Sequence, residues 1–368
     1  MKRIFCLVFC FIICLSPRLE VEATSAKGCI VICGDTGQTI YGENEDFRLS
    51  MASTTKIMTG LLLCEYGNLD REIVTTKEMV TVEGSSMGLL EGDTVSLKTL
   101  LYGLLLASGN DAANTIAIVV GGSVKGFVRM MNDRAMRMGL RDTHFETPSG
   151  LDGDTHYTTC RELALIAREA MKNKDFREAV ATESITVSYG NPPYRRTITN
   201  HNRLLKTYDD VVGVKTGFTK KSGRCLVSAA KKDGKYVIAV TLNDPNDWQD
   251  HRALLDRGLN EVELVDIKPN NEKVNIPVIN GVKDNISVEI SPLEICVKKN
   301  SQAECKVNIK PNIVAPVEEG EILGKAEYFV DGNKVAQREI KAGENIPQVN
   351  LKKLDIYLSI FRFIVMYV

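Results

Sequence analysis

Charge of one sign is what this 368-residue sequence lacks: 46 Lys and Arg stand against 47 Asp and Glu, a net charge of −1. Nucleic-acid-binding chains usually carry a basic excess, so the composition indicates no nucleic-acid partner. Long apolar runs are also missing. None approaches the ~20 residues a spanning helix needs, which excludes a multi-span membrane protein. Histidine is scarce, and His144, His156, His201 and His251 are scattered. No Cys/His spacing matches a zinc site. The 44% apolar and 25% charged fractions are those of a globular chain, which excludes a mostly disordered one. At roughly 100–200 residues per domain, the length points to two domains or three.

Residues 1–23 have the order of parts of an export signal. Lys2 and Arg3 precede an apolar run from Ile4 to Leu15, and Val21-Glu22-Ala23 places small residues at the −3 and −1 positions of a cleavage site. Beyond it lie Cys29, Cys33, Cys64, Cys160, Cys225, Cys296 and Cys305. Their number is odd and most have apolar neighbours, so they read as buried free thiols. Cys296 and Cys305 fall on neighbouring candidate strands within pairing reach, although connectivity is not legible in a sequence.

From 24 to 265 the patterns mix. Strands are expected early (Cys29–Ile32, Thr39–Tyr41) and late (Ser184–Ser188, Val212–Thr216, Cys225–Ala230, Tyr236–Leu242). Between them the spacing predicts helices over Ala52–Tyr66, Leu97–Leu106, Ala112–Val120, Gly126–Met138 and Thr159–Lys172, and a closing one over Trp248–Leu259. Thr158 or Thr159 would cap the fifth, with Glu162 as capping-box partner. This order suggests α+β with non-contiguous sheet strands. From 266 to 346, short strands spaced by turn signals indicate a small all-β domain. The segment 347–368 has one polar stripe, Lys352, Asp355, Ser359 and Arg362, in apolar surroundings, the pattern of a helix lying in a membrane interface.

Three short segments carry candidate chemistry. Ser53-Thr54-Thr55-Lys56 opens a helical run, so serine and lysine share a face. The helix start favours developing negative charge. A buried lysine near a second cation becomes neutral and takes the serine proton. Taken alone this is weak, since Ser228-Ala229-Ala230-Lys231 repeats the spacing at a strand end. Ser108-Gly109-Asn110 joins two helices. Its hydroxyl suits a proton relay, and its amide suits a substrate carbonyl or the lysine. Lys215-Thr216-Gly217 ends a strand. Its lysine and hydroxyl suit a carboxylate, and Gly217 lets a substrate backbone approach. Each segment also has a plain structural reading, as a helix start, a turn and a strand leaving into a loop.

In this order, S-x-x-K, S-G-N and K-T-G form the three-part signature of penicillin-recognising serine enzymes. The sequence resembles the D-alanyl-D-alanine carboxypeptidases, the low-molecular-mass penicillin-binding proteins, over nearly its whole length. Met51–Thr59, Ser108–Ala113, Pro148–Asp152, Asn200–Leu205 and Gly213–Thr219 all look like family motifs. The resemblance implies a β-lactamase/transpeptidase-like domain, an antiparallel sheet flanked by helices plus a helical subdomain, followed by the small all-β domain. It implies Ser53 as acylated nucleophile and Lys56 as its base. Ser108 and Asn110 would complete the proton network and substrate contact, Lys215 would orient the site electrostatically and help keep Lys56 neutral, and Thr216 would contact the terminal carboxylate. The N–H groups of Ser53 and Phe218 would form the oxyanion hole. Neither metal nor cofactor is required. The implied partners are peptidoglycan stem peptides, β-lactam antibiotics and, through the C-terminal helix, the outer face of the cytoplasmic membrane. The chain departs from relatives at Ser149 and His201, where many have other residues, and lacks the E-x-x-L-N segment of class A β-lactamases. Glu162 and Glu169 read as helix charges.

Overall fold

The computed structural model describes residues 24–349. The expected export signal lies outside the described residues, as does the expected terminal amphipathic segment beyond its first three.

The first half of the described chain is built on one antiparallel sheet. Its strands are β1 (Gly28–Cys33), β2 (Thr39–Glu43), β7 (Val211–Thr219), β8 (Gly223–Lys232) and β9 (Lys235–Leu242), in the order β2-β1-β9-β8-β7. Two small ribbons, β3 (Glu72–Val74) with β4 (Thr94–Ser96) and β5 (Ser184–Gly190) with β6 (Pro193–Thr199), flank the helical part. The sheet is buried on both faces, which explains its unbroken apolar runs. On β1, Cys29, Val31 and Cys33 pack under Leu254, Leu255 and Leu259 of the helix Asp247–Glu261. Ile30 and Ile32 point the other way into the main core. The two-residue side-chain period thus splits one strand between two cores.

The main core lies between the sheet and the helices Lys56–Tyr66, Leu97–Leu105, Asn110–Gly121, Val124–Arg137, Cys160–Ala170 and Lys174–Ala181. Local chemistry sets several helix starts. The side chains of Ser96, Ser123, Thr159 and Asn173 each accept from the N–H three residues on. Thr159 is therefore the cap, but Glu162 does not complete the capping box. Its carboxylate instead accepts from the N–H groups of Arg141 and Asp142 and the hydroxyl of Thr143. Glu169 pairs with Arg134 and Lys172.

The second half holds β10 (Val262–Ile267), β11 (Lys273–Ile279), β12 (Asn285–Glu289), β13 (Leu293–Lys298), β14 (Ala303–Ile309), β15 (Ile313–Val314), β16 (Ile322–Val330) and β17 (Asn333–Lys341). They form the sheets β10-β13, β12-β11-β15 and β14-β16-β17 around a separate core that includes Ile286, Val297, Leu323 and Tyr328. The architecture is α+β followed by an all-β domain. Cys296 and Cys305 do not pair with each other, and both are free thiols. Cys296 turns toward the five-stranded sheet of the first half, into the cluster holding Cys29 and Cys33, while Cys305 packs on the β-domain core. Among the described residues no helix is long and apolar enough to cross a membrane.

Candidate active site

Ser53 lies in a short 3-10 turn, Ala52–Thr55, and Lys56 begins the α-helix that follows. The expected single helix from Ala52 is therefore two pieces. Ala52 has φ +48°, so the chain enters the turn through a left-handed residue. Lys56 is fully buried, and its Nζ donates to Ser53 Oγ at 2.9 Å, Asn110 Oδ1 at 2.8 Å and the Ser149 carbonyl at 2.7 Å. Burial, and then the charge of Lys215, hold the Lys56 amine well below its ordinary range, against the opposing pull of Asp111. A neutral amine 2.9 Å from a hydroxyl is poised to accept its proton.

Asn110 is the first residue of its helix, and two carbonyls fix it. Its N–H donates to Ser85 O at 2.7 Å and its Nδ2 to Glu83 O at 2.6 Å. That leaves Oδ1 for Lys56. The loop supplying these carbonyls is tied down by Asp111, which accepts from the Ser86 hydroxyl and from the N–H groups of Met87, Gly88 and Leu89. Ser108 sits at the same junction in a left-handed conformation, φ +57°. It lines the cavity, but Lys56 Nζ donates to Ser53, Asn110 and Ser149 and not to it.

Strand β7 is paired only with β8 among the described residues, so its other edge is open to the cavity. It brings Lys215, Thr216, Gly217 and Phe218 beside the serine turn. Lys215 is buried, donates to Thr216 O at 2.8 Å, and is pushed down by burial to about 7. A Cβ on Gly217 would stand 3.0 Å from the backbone nitrogens of Ser53 and Thr54. Glycine is therefore needed for the strand to lie against the turn. Phe218 is 65% exposed.

These elements enclose a cavity of about 520 Å³ whose walls include Ser53, Ser108, His201, Thr216, Phe218 and Trp248. The structure brings the eight expected positions together from three chain segments, with Ser53, Ser108, Thr216, Gly217 and Phe218 lining the cavity and Lys56, Asn110 and Lys215 buried behind it. The other S-x-x-K copy is structural. Ser228 is buried in β8, hydrogen-bonded to His251, while Lys231 is exposed. Sequence reasoning gave no role to Asp111 or to the Glu83, Ser85 and Ser149 carbonyls. A backbone acceptor has no residue-type signal, so only the three-dimensional arrangement identifies it. Asp111 directly follows the S-G-N segment, and its burial was the missing clue. Nor did the sequence bring Arg224, Asp247 and Trp248 to the cavity.

A hydroxyl beside a neutral lysine and a lysine–threonine pair on an edge strand define a serine enzyme of the acyl-transfer class. The family description "D-alanyl-D-alanine carboxypeptidase" matches residues 16–246, and "Penicillin-binding protein 5, C-terminal domain" matches residues 263–348. The chain belongs to the D-alanyl-D-alanine carboxypeptidase family and is a serine carboxypeptidase, a hydrolase. It is 32% identical to D-alanyl-D-alanine carboxypeptidase DacF of Bacillus subtilis (strain 168), over 89% of this chain and 88% of that one. Penicillin binding protein 5 from Haemophilus influenzae superposes with a TM-score of 0.66 at 25% identity, covering 89% of this chain and 99% of its own. The Streptomyces K15 DD-transpeptidase gives 0.62 at 35% identity, covering 65% of this chain and 98% of its own.

Proposed function

We propose that this enzyme removes the terminal D-alanine from peptidoglycan stem pentapeptides through an acyl-enzyme on Ser53. The observation that carries the proposal is the 2.9 Å bond between Ser53 Oγ and a Lys56 amine kept neutral by burial and by Lys215. Lys56 takes the hydroxyl proton as Oγ attacks the carbonyl between the two D-alanines. The N–H groups of Ser53 and Phe218 receive the developing oxyanion. Asn110 holds Lys56 in place, and Ser108 relays the proton toward the leaving amine. Lys215 and Thr216 hold the terminal carboxylate. Gly217 keeps the edge strand close enough for an extended peptide to lie along it. Water then attacks the ester, regenerates Ser53 and leaves a tetrapeptide stem.

A β-lactam enters the same path, acylates Ser53 and leaves slowly. The catalytic unit spans 24–265 and the all-β unit 266–346. The signal at 1–23 directs export, and the amphipathic segment 347–368 holds the enzyme to the outer face of the cytoplasmic membrane.

The test is release of D-alanine from a stem pentapeptide by a chain lacking the signal and the terminal segment, with Ser53→Ala in parallel. Release by the parent and none by the variant is expected. Equal release by both would sink the assignment. A second reading, transfer to an amine instead of water, is supported by the likeness to a solved structure titled DD-transpeptidase. Adding an amine acceptor and looking for the transfer product separates the two.

A further inference from the structure

The face of the sheet turned away from Ser53 carries a second arrangement of reactive groups. Cys33 ends β1 in the catalytic domain and Cys296 lies in β13 of the β domain, 263 residues apart in sequence. The Cys33 thiol donates to the backbone carbonyl of Cys296 at 3.0 Å, and both cysteines belong to one buried cluster. Both side chains are fully buried. We propose that Cys33 and Cys296 close a disulfide that locks the β domain onto the catalytic domain.

The surrounding contacts hold the two strands in place for it. Asp35 accepts from the Cys296 N–H at 2.9 Å, and Gln38 Oε1 accepts from the Lys298 N–H at 3.1 Å. Gln38 Nε2 reaches Ser301 at 2.8 Å and Asp331 at 2.7 Å. The two strands therefore meet in a polar junction built by neighbouring residues, with Cys33 Sγ against the backbone of Cys296. Their chemistry is also unequal. Hydrogen bonding from the Cys296 thiol, joined by Thr36, draws Cys33 below the usual thiol range and overcomes its burial, while the same pairing pushes Cys296 up. Cys33 is the nucleophile of the pair. Cys29, on the same face of β1, is pushed up by burial and lies against Thr24 instead.

A groove of about 860 Å³ opens beside the junction. Gly34 and Asp35, Tyr236, and Glu294 and Ile295 lie along it, next to both cysteines, with Arg168 on its wall. It gives a small anionic disulfide such as glutathione disulfide a route to the thiols as the domains dock. The Cys33 thiolate attacks one sulfur of that reagent, forms a mixed disulfide and expels one thiolate. Cys296, losing its proton, then attacks the Cys33 sulfur and expels the second thiolate. Two electrons pass from the protein thiols to the reagent, and the two protons go to the released thiolates.

The experiment treats the full chain with glutathione disulfide, alkylates free thiols under denaturing conditions and maps tryptic peptides without reductant. The expected result is a linked pair joining the peptide Gly28–Arg48 to the peptide Asp284–Lys298, with two fewer thiols alkylated than in the reduced chain. Cys29→Ser should keep the link. Cys33→Ser and Cys296→Ser should each lose it, and if one fails to fold the other decides. Oxidised parent should unfold at a higher temperature than reduced parent, a difference absent from Cys296→Ser. D-alanine release should be the same in both forms, since neither thiol lines the Ser53 cavity. Full alkylation of both cysteines after oxidant treatment, or a link to any other cysteine, overturns the proposal.

Discussion

Lys56 and Lys215 are two buried lysines on different elements, one opening a helix and one in the middle of β7, and the charge of the second lowers the proton affinity of the first. Their pairing assigns opposite roles to one residue type. Lys56 works as a base when neutral, and Lys215 works as a carboxylate receptor when charged.

A pH profile separates these roles. Lys56 is depressed well below its ordinary range, so its neutral form persists from that value upward. Lys215 titrates at about 7 and carries its charge below that. In the free enzyme, kcat/KM for a peptide ending in a carboxylate should therefore fall as pH rises through about 7. Lys215→Arg, whose guanidinium stays charged, should remove that alkaline decline. An unchanged decline in the variant would count against Lys215 as its source.

Gly217→Ala tests the approach of the edge strand. The added methyl would meet the Ser53 and Thr54 nitrogens at 3.0 Å, and both belong to a turn held by other bonds. The strand must retreat, taking the Phe218 N–H with it. Loss of one oxyanion donor costs on the order of 10²–10³ in kcat. Steady-state kinetics should show a fall of that order in kcat, with a smaller change in KM and an unchanged far-UV spectrum.

Asp111→Ala tests the support behind Asn110. The carboxylate accepts from one hydroxyl and from the N–H groups of Met87, Gly88, Leu89 and Ala112. Met87 and Leu89 are buried, and each unpaired buried donor costs about 1–3 kcal/mol. A stability loss of roughly 3 kcal/mol is expected, read from the urea midpoint. D-alanine release should also fall, because the loop holding Asn110 loosens. Asp111→Asn should lie between the parent and the alanine variant on both measures.

Much of the site was legible because its chemistry sits in short linear segments. Ser53 and Lys56 share a helix face, and Lys215 to Phe218 are consecutive on one strand, so residue type and spacing suffice. Apart from the helix expected from Ala52, the expected helices were legible to within two or three residues, helped by the capping residues Ser96, Ser123 and Thr159, whereas the helix Lys174–Ala181 behind the Asn173 cap was missed. β6 was missed because Pro193-Tyr194-Arg195-Arg196 is exposed and lacks apolar alternation. What stayed hidden depends on chain-distant partners. Ser149 acts through its carbonyl, so its side chain carries no signal. Cys296 was placed near Cys305 because adjacent strands suggest adjacent partners, whereas β13 pairs with β10 and turns its cysteine to the other domain.

The helix Asp247–Glu261 runs straight into β10 at Val262, with no intervening loop. That helix packs on the catalytic sheet, and its His251 hydrogen-bonds Ser228 and Thr241 on two strands. The β domain is thus mounted like a bracket and does not swing on a tether. A force applied at its far end is delivered as torque to the helix and the sheet beneath it. The distance from the cavity to the far end of the chain's second half is then set by the fold of the β domain and not by the length of a linker.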